Sequence, residues 1–106
     1  MKARPLRATE KGYEECEASE ATHIRLNFPG PIPTRVIPVQ TKGTRKGTPN
    51  WSWNGDTDKP TLKPSILSNV SDELRCHTFV TDGMVRFLGD CTHELAGQTL
   101  PLNEVD

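Results

Sequence analysis

Two of the three cysteines and two of the three histidines fall within residues 76–93, in the order Cys76-His77, then Asp90-Cys91-Thr92-His93. These side chains support two chemistries. A thiolate beside an imidazole, with a carboxylate to hold the tautomer, makes a nucleophile and its base. In that arrangement Cys91 attacks an acyl group, His77 takes the proton, and Asp90 or His93 orients or assists. Backbone amides around residues 89–91 would receive the oxyanion. Alternatively, two thiolates and an imidazole hold zinc. Cys76, Cys91 and His93 would then be ligands, with Cys16 or His23 as the fourth, in a non-catalytic zinc-stabilised β domain that binds a protein partner. A third reading is a structural protein with no site, its cysteines assigned to packing and its histidines to backbone hydrogen bonds.

The choice rests on the elements that carry these residues. Residues 76–81 and 84–88 are apolar-rich runs joined by Asp82-Gly83, a strong two-residue hairpin turn. Pairing Thr81 with Met84 sets His77 opposite Leu88, Cys76 opposite Gly89 and Arg75 opposite Asp90. Alternation then puts Cys76, Gly89 and Cys91 on one face, and His77, Leu88 and Asp90 on the other. An ideal register therefore keeps Cys91 away from His77. A one-residue bulge at Gly89 would turn it over.

The rest of the chain predicts short strands. Nine prolines and eight glycines leave no room for long helices. In residues 23–28, Ile24, Leu26 and Phe28 alternate with polar neighbours, a strand with one buried face. Residues 34–40 form another, confined to an edge or a bulge by Pro38. Trp51 and Trp53 share a face of an extended segment, Pro60 and Pro64 extend the run to Ile66, and residues 99–102 close the chain as a strand. Residues 94–96 read as a turn of helix. Residues 1–21 read as a polar tail or one short helix around 14–21. The expected fold is a compact, single, mostly antiparallel β domain over residues 22–106 with minimal helix.

Composition narrows the function classes. Leu, Ile, Val and Phe supply 22 of 106 residues and the net charge is −1, which favours a folded domain over disorder. No apolar run spans a membrane and no signal-peptide core is present, so a cytoplasmic protein is expected. The odd cysteine count speaks against a disulfide framework. The charge balance speaks against general nucleic-acid binding, leaving a protein partner or a peptide substrate.

The strings Trp51-Ser-Trp-Asn-Gly-Asp56, Lys59-Pro-Thr-Leu-Lys-Pro-Ser-Ile66, Cys76-His-Thr-Phe-Val-Thr-Asp-Gly83 and Phe87-Leu-Gly-Asp-Cys-Thr-His-Glu-Leu-Ala-Gly-Gln-Thr99 resemble a family of small proteins encoded mainly by tailed phages and prophages. Its members often carry the label "ammonia monooxygenase". A chain of this length without a membrane span is not expected to carry that chemistry. The resemblance covers residues 47–102 and implies a phage-type accessory protein, acting in the host cytoplasm. More distantly, the chain is similar to hydrolase-type proteins beside bacterial ubiquitin-like conjugation operons, for which a serine-protease-like activity has been proposed. That resemblance implies His77 as base and Cys91 as nucleophile, with Cys91 standing where a serine would be expected.

Other features have plainer readings. Trp51 and Trp53 suit a small core better than a ligand stack. Lys42, Arg45 and Lys46 read as solvated loop charges. Ser65 after Pro64 is another hydroxyl that could be a nucleophile, but it has no base near it in sequence and reads as a strand-start serine. Asp56 and Asp58 flank a turn as capping groups.

Overall fold

The computed structural model describes residues 1–40 and 50–105. The loop carrying Lys42, Arg45 and Lys46 lies outside these residues. Among the described residues nine strands form two antiparallel sheets. The first is ordered β2-β1-β3-β4, from β1 (Ala3–Thr9), β2 (Gly12–Glu15), β3 (His23–Asn27) and β4 (Thr34–Pro38). The second is ordered β5-β6-β7-β8-β9, from β5 (Ser52–Trp53), β6 (Leu62–Ser71), β7 (Leu74–Thr81), β8 (Met84–Phe87) and β9 (Thr99–Pro101). The expected mostly antiparallel β architecture is what forms. Among the described residues no helix is long and apolar enough to cross a membrane.

One apolar cluster joins the sheets. Ile24, Leu26 and Val39 contribute from the first side, and Leu62, Ile66, Val80, Val85 and Phe87 from the second. Trp51 and Trp53 are partly buried against this cluster. The alternation in β3 is realised as expected, with Ile24 and Leu26 buried and their neighbours partly exposed. Pro38 ends β4, which is an edge strand as its missing N–H requires.

Two expectations fail locally. Residues 1–21 are not a tail or a helix: they form β1, β2 and a single 3-10 turn at Ala18–Glu20. Every residue of β2 is exposed, so no burial pattern marks it. Its backbone pairs with β1 from Leu6↔Glu15 to Thr9↔Gly12, and Arg7 bonds Glu14 across the pair. Residues 94–96 form a hydrogen-bonded turn, not helix, closed by Ala96 N–H on the His93 carbonyl.

Strands β7 and β8 pair in the expected register, from Thr78↔Phe87 to Thr81↔Met84. Asp82 at φ 50° and Gly83 at φ 77° make the tight turn, the conformation for which Asp-Gly is suited. Asp56 is the capping group expected of it. Its Oδ1 accepts the N–H groups of Asp58 and Lys59 at 2.8 and 3.0 Å, which draws its carboxyl below the usual range.

Candidate functional site

Past the top of the hairpin, Leu88 N–H still donates to the His77 carbonyl at 2.9 Å. Pairing then resumes between Thr92 and Arg75, through Thr92 N–H to the Arg75 carbonyl at 3.0 Å and Arg75 N–H to Thr92 Oγ1 at 2.8 Å. One strand has advanced two residues and the other four, so Gly89 and Asp90 are looped out as a turn. An insertion of two preserves the alternation that an insertion of one would invert. Cys91 therefore stays on the core face with Cys76, at 8% and 1% exposure.

The outer face holds a different set. His77 Nδ1 lies 3.0 Å from Asp90 Oδ2 and 3.2 Å from Oδ1. Its Nε2 lies 2.8 Å from Ser65 Oγ. An ionised carboxylate only accepts, so Nδ1–H donates to Asp90 and Nε2 is left to accept from the Ser65 hydroxyl. The result is a hydroxyl, an imidazole and a carboxylate in series.

Ser65 reaches His77 through a second irregularity. β6 pairs with β7 at Leu62↔Val80 and again at Ile66↔Thr78, so β6 carries two extra residues between these points. Leu62 and Ile66 remain buried on either side. Ser65, at the end of the inserted stretch, lies partly exposed beside the outward-facing His77. The Trp51 indole N–H donates to the Ser65 carbonyl at 3.1 Å and fixes the backbone there.

The residues singled out in the sequence thus separate into two groups. His77 and Asp90 meet on the outer face, the same side as alternation placed them. The Cys91 thiol donates to the His77 carbonyl and accepts from the His77 N–H, both at 3.2 Å, and its hydrogen bonds there are to backbone, not to the imidazole. The Cys91 amide is spent on the Leu88 carbonyl at 3.2 Å, so it is not available to an oxyanion in this arrangement. His93 lies on the core side, with its ring edge-on to Phe87 at 5.2 Å.

Cys76, Cys91 and His93 form a cluster whose potential ligand atoms all lie within 4.8 Å of one another. Neither Cys16 nor His23 belongs to it. Cys16 follows β2, and burial pushes its thiol up. His23 bonds Thr22 Oγ1 at 2.8 Å and packs edge-on against Tyr13. Beside the cluster Arg35 donates to Cys76 Sγ at 3.3 Å and to Ser68 Oγ at 2.8 Å. Burial pushes the Cys76 thiol up, against the opposing pull of that guanidinium.

Ser65 is the residue that local sequence reasoning set aside for want of a base. Its base is twelve positions away on a neighbouring strand, a proximity that only β6–β7 pairing creates. One signal could have found it. The resemblance to serine-protease-like proteins asked for a serine, and Ser65 stands in one of the strings that carried the first resemblance.

No curated protein and no solved structure matches the chain. A family model does match, over residues 33–88, a span that includes Ser65 and His77 and ends two residues before Asp90. With more than half of its length inside that match, the chain belongs to the family described as bacterial ubiquitination-like system serine proteases (BubE).

Proposed function

We propose that the protein is a serine hydrolase acting on peptide-type acyl bonds, with Ser65 as nucleophile, His77 as general base and Asp90 as the carboxylate that orients it. The observation that carries this reading is the hydrogen-bond series from Ser65 Oγ through both ring nitrogens of His77 to Asp90. The family's description as serine proteases supports the same class.

The steps follow from the donors and acceptors. Ser65 Oγ attacks the acyl carbon as its proton passes to His77 Nε2. The imidazolium so formed is stabilised by Asp90 on its other nitrogen, then gives the proton to the leaving amine. Water, activated by the same Nε2, releases the acyl group. The His77 and Asp90 side chains are 26% and 46% exposed, so the site opens onto the outer face of the second sheet. Leu67, which pairs with His77, and Phe79, two positions along β7, are exposed on that face and offer an apolar surface to a substrate chain.

In this reading the nucleophile is Ser65 and not Cys91, whose thiol is turned toward the core. The resemblance of residues 47–102 to phage-encoded proteins supports a phage-type accessory role as its setting. The test is labelling with a fluorophosphonate, which phosphonylates activated serines, followed by intact-mass and peptide mapping. One adduct on Ser65 is expected, absent in Ser65→Ala and retained in Cys91→Ser. No adduct on Ser65 in the folded protein, together with stoichiometric labelling of Cys91 by a mild thiol electrophile that folded His77→Ala abolishes, would return the nucleophile to the thiol.

A further inference from the structure

We propose that Cys76, Cys91 and His93 bind a thiophilic divalent cation, zinc by the make-up of the ligand set, on the core side directly behind the Ser65–His77–Asp90 series. The site shares no side chain with that series and stands or falls separately from it.

Two sulfurs and one imidazole nitrogen are the donors zinc prefers, and here they converge within 4.8 Å from two adjacent segments. A second observation points to a ligand. His93 Nε2 is buried and, among the described residues, has no hydrogen-bond partner, although buried polar atoms are almost always paired. The imidazole that carries it is held in place by its edge-on contact with Phe87.

The surroundings suit thiolates. Each sulfur accepts an N–H: Cys76 from Arg35 and Cys91 from the His77 backbone. Arg35 is 6% exposed and, among the described residues, has no carboxylate at ion-pair distance; its acceptors are the Ile32 carbonyl, Ser68 and Cys76. A buried guanidinium without an anion is costly, and metal-bound thiolate sulfur supplies negative charge beside it.

Binding releases one proton from each thiol to solvent and forms two metal–sulfur bonds and one metal–nitrogen bond. The Cys91 S–H bond to the His77 carbonyl is given up. For Nε2 to coordinate, the ring proton moves to Nδ1, and the 3.3 Å contact from Leu95 N–H to Nδ1 is released as well. No fourth Cys, His, Asp or Glu joins the group among the described residues, which leaves a fourth position for water. Cys76 immediately precedes His77 and Cys91 immediately follows Asp90. A cation that ties the two cysteines together therefore fixes the two backbone positions that present His77 and Asp90 to the outer face.

The test uses the full chain without a histidine tag, reduced with a phosphine. Elemental analysis of the purified protein is expected to give one zinc per chain. Titration of the metal-free protein with cobalt(II) is expected to produce a thiolate-to-cobalt charge-transfer band and the intense visible bands of a tetrahedral site. Cys91→Ser and His93→Gln, shown to be folded by circular dichroism, should each weaken zinc binding by more than the roughly 10–100-fold typical of changes outside the ligand set. Ser65→Ala should keep the full metal content. Absence of both bound zinc and the cobalt spectrum in reduced protein overturns the proposal, as does a cobalt spectrum unchanged in both folded variants.

Discussion

Replacing Asp90 by Asn tests whether the hydrogen-bond series is a working device or an incidental contact. The substitution keeps the size of the side chain but removes its charge. It also lets an amide N–H face His77 Nδ1, which favours the tautomer whose Nε2 carries a proton and cannot accept one from Ser65. Unit charges about 3–4 Å apart at an effective dielectric of about 20 interact by roughly 4–5 kcal/mol. The pair here is 3.0 Å apart but half open to water on the carboxylate side, with 46% of the Asp90 side chain exposed. Screening of that kind reduces the figure by about half, to roughly 2–3 kcal/mol. At about 1.4 kcal/mol per decade this is about a 100-fold loss of rate, well short of the roughly 10⁴-fold seen where a triad aspartate is fully buried. Because no substrate is required, the second-order rate of fluorophosphonate labelling at Ser65 is the appropriate assay, followed by intact mass over time. The melting temperature should move little, since an exposed ion pair contributes about 1 kcal/mol or less. Asp90→Asn labelling as fast as the parent protein would refute the role assigned to the carboxylate. A rate loss that merely tracked unfolding would refute it too.

Three other outcomes follow from contacts around the site and the core. Trp51→Phe removes the indole N–H that holds the Ser65 carbonyl at 3.1 Å, and should slow Ser65 labelling while costing only about 1 kcal/mol in denaturant unfolding; unchanged labelling would separate Trp51 from the nucleophile's positioning. Gly83→Ala places a Cβ at φ +77° and 3.2 Å from the Asp58 carbonyl oxygen, so its urea midpoint should fall by the equivalent of about 1–2 kcal/mol, and an unchanged midpoint would count against the turn geometry. Burial holds His23 below its ordinary value of 6.5, and its Nδ1 lies 2.8 Å from the Thr22 hydroxyl. The unfolded chain therefore binds the proton first as pH falls, so this contribution is present above about pH 6.5 and declines below it. His23→Gln should flatten that part of the stability–pH curve, and an identical slope would show that the decline arises elsewhere.

The parts of the fold legible in the sequence are those where burial and turn chemistry agree. Ile24, Leu26 and Phe28 announce β3 because one face of it is buried, and Asp82-Gly83 announces the β7–β8 turn because few other pairs accept two positive φ angles. β1 and β2 are illegible for the opposite reason. Ala3, Pro5 and Leu6 do not alternate, and β2 buries nothing, so its position is set by backbone pairing and by Arg7 and Arg4 against Glu14 and Glu15. In the candidate site, alternation assigns His77 and Asp90 to one face, although a looped-out turn and not the ladder carries Asp90 there. The partnership of His77 with Ser65 could not be read that way. It depends on a β6 irregularity that sets the lateral position of Ser65; Pro64, which cannot donate to a ladder, hints at a break in 62–66, but not at where that break sends Ser65.

Those two irregularities share a number, and the number explains how so small a domain carries a polar series without losing its core. β6 gains two residues before Ser65, and the chain after β8 gains two at Gly89-Asp90. A single inserted residue would exchange the faces of everything beyond it, sending Ile66 or Cys91 outward and polar side chains inward. Two leave the alternation intact. Leu62 and Ile66 both remain in the core on one side of β7, and so do Phe87 and Cys91 on the other. The extra length is absorbed on the solvent face, where it moves Ser65 to one ring nitrogen of His77 and Asp90 to the other. His77 itself sits between two buried residues, Cys76 and Thr78, on a strand paired along both edges. The imidazole is thus carried by a strand paired along both edges, and its partners are brought to it by two-residue insertions in β6 and after β8 that keep the core faces inward.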